Sequence, residues 1–199
     1  IYAKAKIPSG LGAPEGDLLD RMKALGKLPL VHQPGERWTY GLNTDLLGCI
    51  IEVISGMSLQ DFLRKNIFAP LGMNDTWFNL PEDKFDRLAT VYTEDSLQHV
   101  VLWSKDHSGI DPDYPKYNKH YFSGGAGLSS TVYDYAIFLQ MIMNGGIYNG
   151  RQILSRRVVA MMLHPQLDSS FNGKNNFGLG FEIVSDKGAA DGARNEGSV

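Results

Sequence analysis

The chain has 199 residues, of which 43% are hydrophobic and 21% charged, and a formal net charge of −3. That length and balance suit one ordinary globular domain with a sizeable core. The slight acidity, and the lack of a Lys/Arg stripe interleaved with aromatics, argue against a nucleic-acid partner, and no apolar run approaches the ~18 residues of a membrane span.

Residues 1–14 read as a loop, broken by Pro8, Gly10, Gly12 and Pro14. Helical spacing at Leu18, Leu19, Met22 and Leu25 predicts a helix over Glu15–Leu25, stopped by Gly26, and Pro29–Pro34 reads as an extended connector. A second helix is predicted over Thr44–Ser55. Asn43 or Thr44 would be its cap, Leu46, Leu47, Ile50, Ile51 and Ile54 its apolar face, and Gly56 its left-handed terminator. A third runs over Leu59–Phe68, from Ser58 and its weak capping box with Asp61 to a stop at Pro70. Leu88–Thr93 and His99–Trp103 suggest a hairpin, and Asp106–Lys119 a long surface loop. Thr131–Asn144 reads as a helix with Val132, Tyr135, Ala136, Leu139, Ile142 and Met143 on one face, ended by Gly145-Gly146. Ser155–Leu163 is a shorter helix with Pro165 beyond it. Asn176–Val184 reads as a strand in which Gly178 and Gly180 mark close approach by another backbone.

The lone cysteine, Cys49, rules out an intrachain disulfide and, in its apolar run, reads as a buried structural thiol. The five histidines form no H-x-x-x-H or H-E-x-x-H pair, so no metal is expected. Gly124-Gly125-Ala126-Gly127 has no following lysine, which excludes a phosphate loop, and no cofactor is expected; G-x-S-x-G is absent too. Tyr40, on a turn before an apolar helix, is the remaining candidate. A phenol titrates near ~10 and needs neighbouring ammonium groups to exchange protons usefully at neutral pH. By its residues alone, it reads rather as a packing group.

Three consecutive pieces frame it: P34-G35-E36-R37-W38-T39-Y40-G41, L47-G48-C49-I50-I51-E52-V53-I54-S55-G56 and I67-F68-A69-P70-L71-G72-M73-N74-D75-T76. F122-S123-G124-G125-A126-G127-L128-S129-S130-T131, D134-Y135, M143-N144-G145-G146 and F177-G178-L179-G180-F181 follow. Together they resemble the superfamily of class C serine β-lactamases, D-alanyl-D-alanine peptidases and related esterases. The resemblance implies a mainly α chain with short antiparallel β segments: the helical region (1–170) and the start of the late sheet region (171–199) of a serine β-lactamase-like α/β domain. It also implies an acyl-enzyme mechanism on ester, amide, peptide or β-lactam substrates. Tyr40 would be the proton-exchanging residue, Tyr121, Phe122, Ser123, Gly124 and Gly125 would line the acyl pocket, and the late strand would help to hold the oxyanion.

The departures are equally informative. The third position of the usual Tyr-x-Asn is Leu42, with Asn43 one residue late, which tilts the expectation towards esters. No serine has a lysine three residues later, and the third family motif is missing; His107-Ser108-Gly109 has its letters in the wrong place. The chain begins with Ile1 and ends Gly197-Ser198-Val199. The expectation is therefore a middle fragment of a hydrolase, inactive alone for want of its nucleophile. The competing expectation is a non-catalytic module that binds peptides or a partner. No secretory signal is visible, and bacterial periplasm and cytoplasm both stay open.

Overall fold

A computed structural model describes residues 2, 4–8, 10–12, 14–167 and 174–190. They form short helices and three separate two-stranded antiparallel sheets, the mainly α arrangement expected. The chain divides into two compact units, Ile1–Asp134 and Tyr135–Val199.

In the first unit, α1 (Leu18–Leu25) starts later than its spacing suggested. Gly16 lies at φ +82°, and the extended Asp17 caps the helix by accepting the Asp20 N–H at 2.9 Å. Helix α2 (Asn43–Ser55) departs from expectation at its start: Asn43 is already helical, and Leu42 before it supplies no side-chain cap. Gly56 closes α2 at φ +66°, its N–H donating to the Glu52 carbonyl at 2.9 Å. Helix α3 (Leu59–Leu63) begins at Ser58, whose Oγ accepts the Asp61 N–H at 3.1 Å and donates to the Asp61 carboxylate at 2.7 Å. Asp61 is too short to close the box by reaching back to the cap N–H. Glu52 from α2 acts across the Gly56 turn instead, its Oε1 accepting the Leu59 N–H at 2.8 Å.

Pro70 does not stop this helix. The helix widens into a π turn over Arg64–Phe68, where the Ala69 N–H donates to the Arg64 carbonyl, and continues as α4 (Ala69–Leu71) to Gly72 at φ +74°. The wider turn absorbs the donor that proline lacks. A 3₁₀ segment (Glu82–Arg87) leads to the hairpin of β1 (Tyr92–Glu94) and β2 (Val100–Leu102), with Thr93 opposite Val101. The expected loop beyond it contains two helical turns, α5 (Lys105–Ser108) and a 3₁₀ turn (Tyr114–Lys116).

Two apolar clusters form the core of this unit. Leu18, Met22, Cys49 and Tyr121 make one; Leu59, Phe78 and Phe122 make the other. The face of α2 that enters the core is not the expected one. Asp45, Gly48 and Cys49 are buried, whereas Leu46, Leu47, Ile50 and Ile54 are exposed, Ile54 at 81%. The cause is Gly48. A Cβ there would meet Leu59 Cδ2 at 2.8 Å and Leu18 Cδ2 at 3.5 Å, so the small side of α2 admits its neighbours most closely.

Helix α6 (Val132–Met143) buries Ile137, Met141 and Ile142; of the predicted face Ile142 is buried, whereas Val132, Tyr135 and Met143 are exposed. Beyond it, β3 (Ile147–Tyr148) and β4 (Arg151–Gln152) form a tight hairpin, and α7 (Arg156–Met162) is capped by Ser155, whose Oγ accepts the Val158 N–H at 3.2 Å. The single strand expected over Asn176–Val184 is a hairpin of β5 (Asn176–Phe177) and β6 (Glu182–Ile183). Gly180 turns the chain at φ +90°. Gly178 lies so close to the Met162 carbonyl oxygen that a Cβ would stand 2.1 Å from it. Helix α8 (Asp186–Ala190) closes the described chain. Among the described residues, no single helix is long and apolar enough to cross a membrane.

Candidate functional site

Tyr40 projects from the segment that enters α2. Upstream, the Glu36 N–H donates to the Gln33 carbonyl at 3.2 Å, and His32 Nε2 lies 2.7 Å from Thr39 Oγ1, within hydrogen-bonding distance. Downstream, Leu42 is buried and α2 begins. Between these fixed points, Tyr40 is 85% exposed. Its ring centroid is 6.2 Å from that of Trp38, and its hydroxyl makes no hydrogen bond among the described residues. A phenol held outward in this way is available to a reacting group.

The start of α2 rests on the glycine turn. A Cβ on Gly124 would stand 2.3 Å from the Thr44 carbonyl oxygen; one on Gly125 would stand 2.7 Å from Thr44 Oγ1 and 3.0 Å from Asp45 Oδ2. Only glycine permits this contact. Gly124 and Gly125 are themselves exposed on their other side. The three side chains before them are buried. Tyr121 is 1% exposed, and its hydroxyl donates to Asp45 Oδ1 at 3.2 Å. Burial, reinforced by the Asp45 charge, raises its pKa. Phe122 packs edge-on against Phe78, with ring centroids 5.3 Å apart. Ser123 is buried, and its Oγ accepts the Ala126 N–H at 3.0 Å, which ties the turn to itself. Of the expected lining, the Gly124–Gly125 backbone faces solvent, whereas Tyr121, Phe122 and Ser123 are buried.

Several residues beyond those singled out in the sequence hold the surroundings in place. Asp134 is buried and accepts the Asp75 N–H and the Thr76 hydroxyl, each at 2.8 Å. Asp75 in turn accepts Lys84 Nζ at 2.7 Å and a bidentate pair from Arg87 at 2.7 and 2.9 Å. The Arg87 and Lys84 hydrogen bonds hold the Asp75 carboxyl well below the usual carboxylate range. Lys119, 5% exposed, donates to the Tyr114 and Tyr117 carbonyls at 2.9 and 3.4 Å and lies over the Tyr114 ring. Burial pulls its pKa down to about 8. Asp45, Asp134 and Lys119 left no periodic trace; Asp75 and Asp134 could have been suspected only from their place in the recurring Asn-Asp-Thr and Asp-Tyr pieces. Cys49 is buried, and desolvation raises its thiol pKa. Among the described residues, no three His, Cys, Asp or Glu side chains gather as a metal site would require.

Residues 6–198 match the Beta-lactamase family, and the chain belongs to it. Its members are serine hydrolases. The chain is 33% identical over 178 residues to protein Rv1367c of Mycobacterium tuberculosis (strain ATCC 25618 / H37Rv), a match covering 83% of this chain and 42% of that protein. It is 29% identical over 182 residues to a candidate D-alanyl-D-alanine carboxypeptidase of Escherichia coli (strain K12), covering 85% of this chain and 39% of that one. In fold it is similar to EstCE1, a hydrolase with promiscuous acyltransferase activity, with a TM-score of 0.84 and 23% identity over 98% of this chain and 53% of EstCE1. The chain thus spans well under half the length of these two curated relatives.

Proposed function

We propose that residues 1–199 are the helical part and the beginning of the late sheet region of a serine hydrolase domain, and that Tyr40 is its proton-exchanging residue. A serine supplied by the rest of the parent protein attacks an acyl carbonyl. Its proton passes by way of the Tyr40 oxygen to the departing group. Water then attacks the acyl-serine along the reverse path. The observation that carries this reading is the outward display of Tyr40, pinned on both sides and unengaged, in a segment that resembles the family's tyrosine motif. The exposed Gly124–Gly125 backbone forms the side of the site nearest the α2 entrance, and Tyr121, Phe122 and Ser123 anchor it from within. Leu42, buried at the position where β-lactamases carry the amide-contacting Asn, favours esters over β-lactams, and Asn43 is already in the exposed first turn of α2.

The 199-residue chain alone is expected to take up no fluorophosphonate or fluorescent penicillin label. For the full-length gene product, we expect faster turnover of p-nitrophenyl esters than of a chromogenic cephalosporin, and a kcat lowered at least about 100-fold by Tyr40→Phe with KM little changed. Undiminished kcat in that variant would return Tyr40 to a packing role. A reading frame without Ser-x-x-Lys would leave the chain a non-catalytic binding module.

A further inference from the structure

We propose that Asp45 is the positioning residue for Tyr40; this rests on the reading of Tyr40 as the proton-exchanging group. Asp45 sits in the first turn of α2, five residues after Tyr40, and is 2% exposed. A carboxylate is costly to bury, and one placed at the mouth of a candidate site needs a reason. Its surroundings supply one. Tyr121 donates to Oδ1 at 3.2 Å. Two glycines border the carboxylate, and a third borders the backbone just before it. A Cβ on Gly10 would stand 3.3 Å from Oδ1 and 2.7 Å from Ser123 Oγ; one on Gly125 would stand 3.0 Å from Oδ2; one on Gly124 would collide with the preceding carbonyl, that of Thr44. The carboxylate therefore keys the first turn of α2 into the N-terminal loop on one side and into the Tyr121–Gly125 turn on the other.

Tyr40 has no such hold of its own. Its hydroxyl is unbonded among the described residues, and its ring lies tilted at 51° to that of Trp38. Where the phenol stands is set by the buried Leu42 and by α2, whose own placement depends on the Asp45 key. A proton relay tolerates little displacement, and a misplacement of about 1 Å can cost about 100-fold in rate. Asn at this position retains a side-chain oxygen that can accept the Tyr121 hydroxyl; Ala does not.

The test uses the full-length gene product with a p-nitrophenyl ester. Asp45→Ala should lower kcat about 10- to 100-fold with KM within about twofold, Asp45→Asn should recover most of that loss, and Tyr121→Phe should cost less than Asp45→Ala. The decisive comparison is the double variant. If Asp45 acts through Tyr40, adding Asp45→Ala to Tyr40→Phe leaves kcat at the Tyr40→Phe level. Multiplicative losses, or an unchanged kcat in Asp45→Ala, overturn the inference while leaving the reading of Tyr40 intact. An unchanged kcat in Tyr40→Phe overturns that reading instead. Independently of turnover, the Tyr40 ring signals in NMR, assigned by their loss in Tyr40→Phe, should shift in Asp45→Ala and hold in Asp45→Asn. Signals that hold in both variants refute the positioning role whatever the activity.

Discussion

Replacing Lys119 by Met removes a buried ammonium that faces two carbonyls and a ring but no carboxylate within its hydrogen-bonding shell. The folded pKa is about 8, against about 10.4 for an unperturbed lysine. The gap of about 2.4 units, at about 1.36 kcal/mol per unit, makes the charged form about 3 kcal/mol costlier to bury than to leave in the unfolded chain. The sign follows from the order of the two pKa values. Below pH 8 the lysine is charged in both states, and the full penalty applies. Between about 8 and about 10.4 the folded chain releases its proton first, so the penalty fades; above that range the lysine is neutral in both states. The wild type should therefore gain about 2 kcal/mol on Lys119→Met between pH 7 and pH 10. At a urea dependence of about 2 kcal/mol per molar, that is a relative midpoint shift of about 1 M. All three tryptophans, Trp38, Trp77 and Trp103, lie in the same unit as Lys119, so their fluorescence reports the relevant transition. Midpoints of the two proteins that run parallel across this pH range would show that the ammonium pays no burial cost, and the argument would fail.

Acid should act on Asp75 in the opposite sense. Its folded pKa is depressed by Arg87 and Lys84, so its contribution is present above the unfolded value of about 3.9 and is lost as the pH falls below it. The gap in thermal midpoint between wild type and Asp75→Asn should thus be widest near neutrality and close on acidification; a gap independent of pH would refute this. Glu52→Ala leaves the first N–H of α3 without its acceptor and should cost about 1 kcal/mol in urea unfolding, whereas Glu52→Gln should keep most of it. Equal losses in the two variants would mean that the hydrogen bond is not the source. Gly178→Ala puts a methyl group against the Met162 carbonyl and should destabilise the second unit by about 1–3 kcal/mol. It should also speed hydrogen exchange at Leu179, whose N–H donates to that carbonyl at 3.0 Å; unchanged exchange would contradict the close approach.

Most helix positions are legible because capping and stop signals are local: Gly56, Ser58, Gly145 and Ser155 act within a few residues of chain, whereas the stop at Pro70 is overridden by the π turn. The buried face is legible in α1, where Leu18 and Met22 enter the core as their spacing indicates, but not in α2. Periodicity locates an apolar stripe, but in α2 the stripe that packs is the one where Gly48 lets Leu18 and Leu59 come near. That depends on residues far away in sequence. The β5–β6 hairpin is hidden for a related reason: alternation within nine residues does not distinguish one strand from two that turn at Gly180. Tyr40 is marked by its neighbours in the motif. Asp45 is not, because a carboxylate two residues into an amphipathic helix reads as solvent-facing until Tyr121 is brought to it across the fold.

Tyr121 and Phe122 are adjacent in the chain, yet each belongs to a different apolar cluster. A peptide bond joins the packing around α1 and α2 to the packing around α3 and Phe78. Neither cluster can loosen without dragging the other's aromatic ring, so the slowest-exchanging amides of both should share a single opening free energy and respond together to denaturant. The cooperativity of the first unit then depends on this dipeptide together with α2, whose Gly48 meets Leu18 of one cluster and Leu59 of the other.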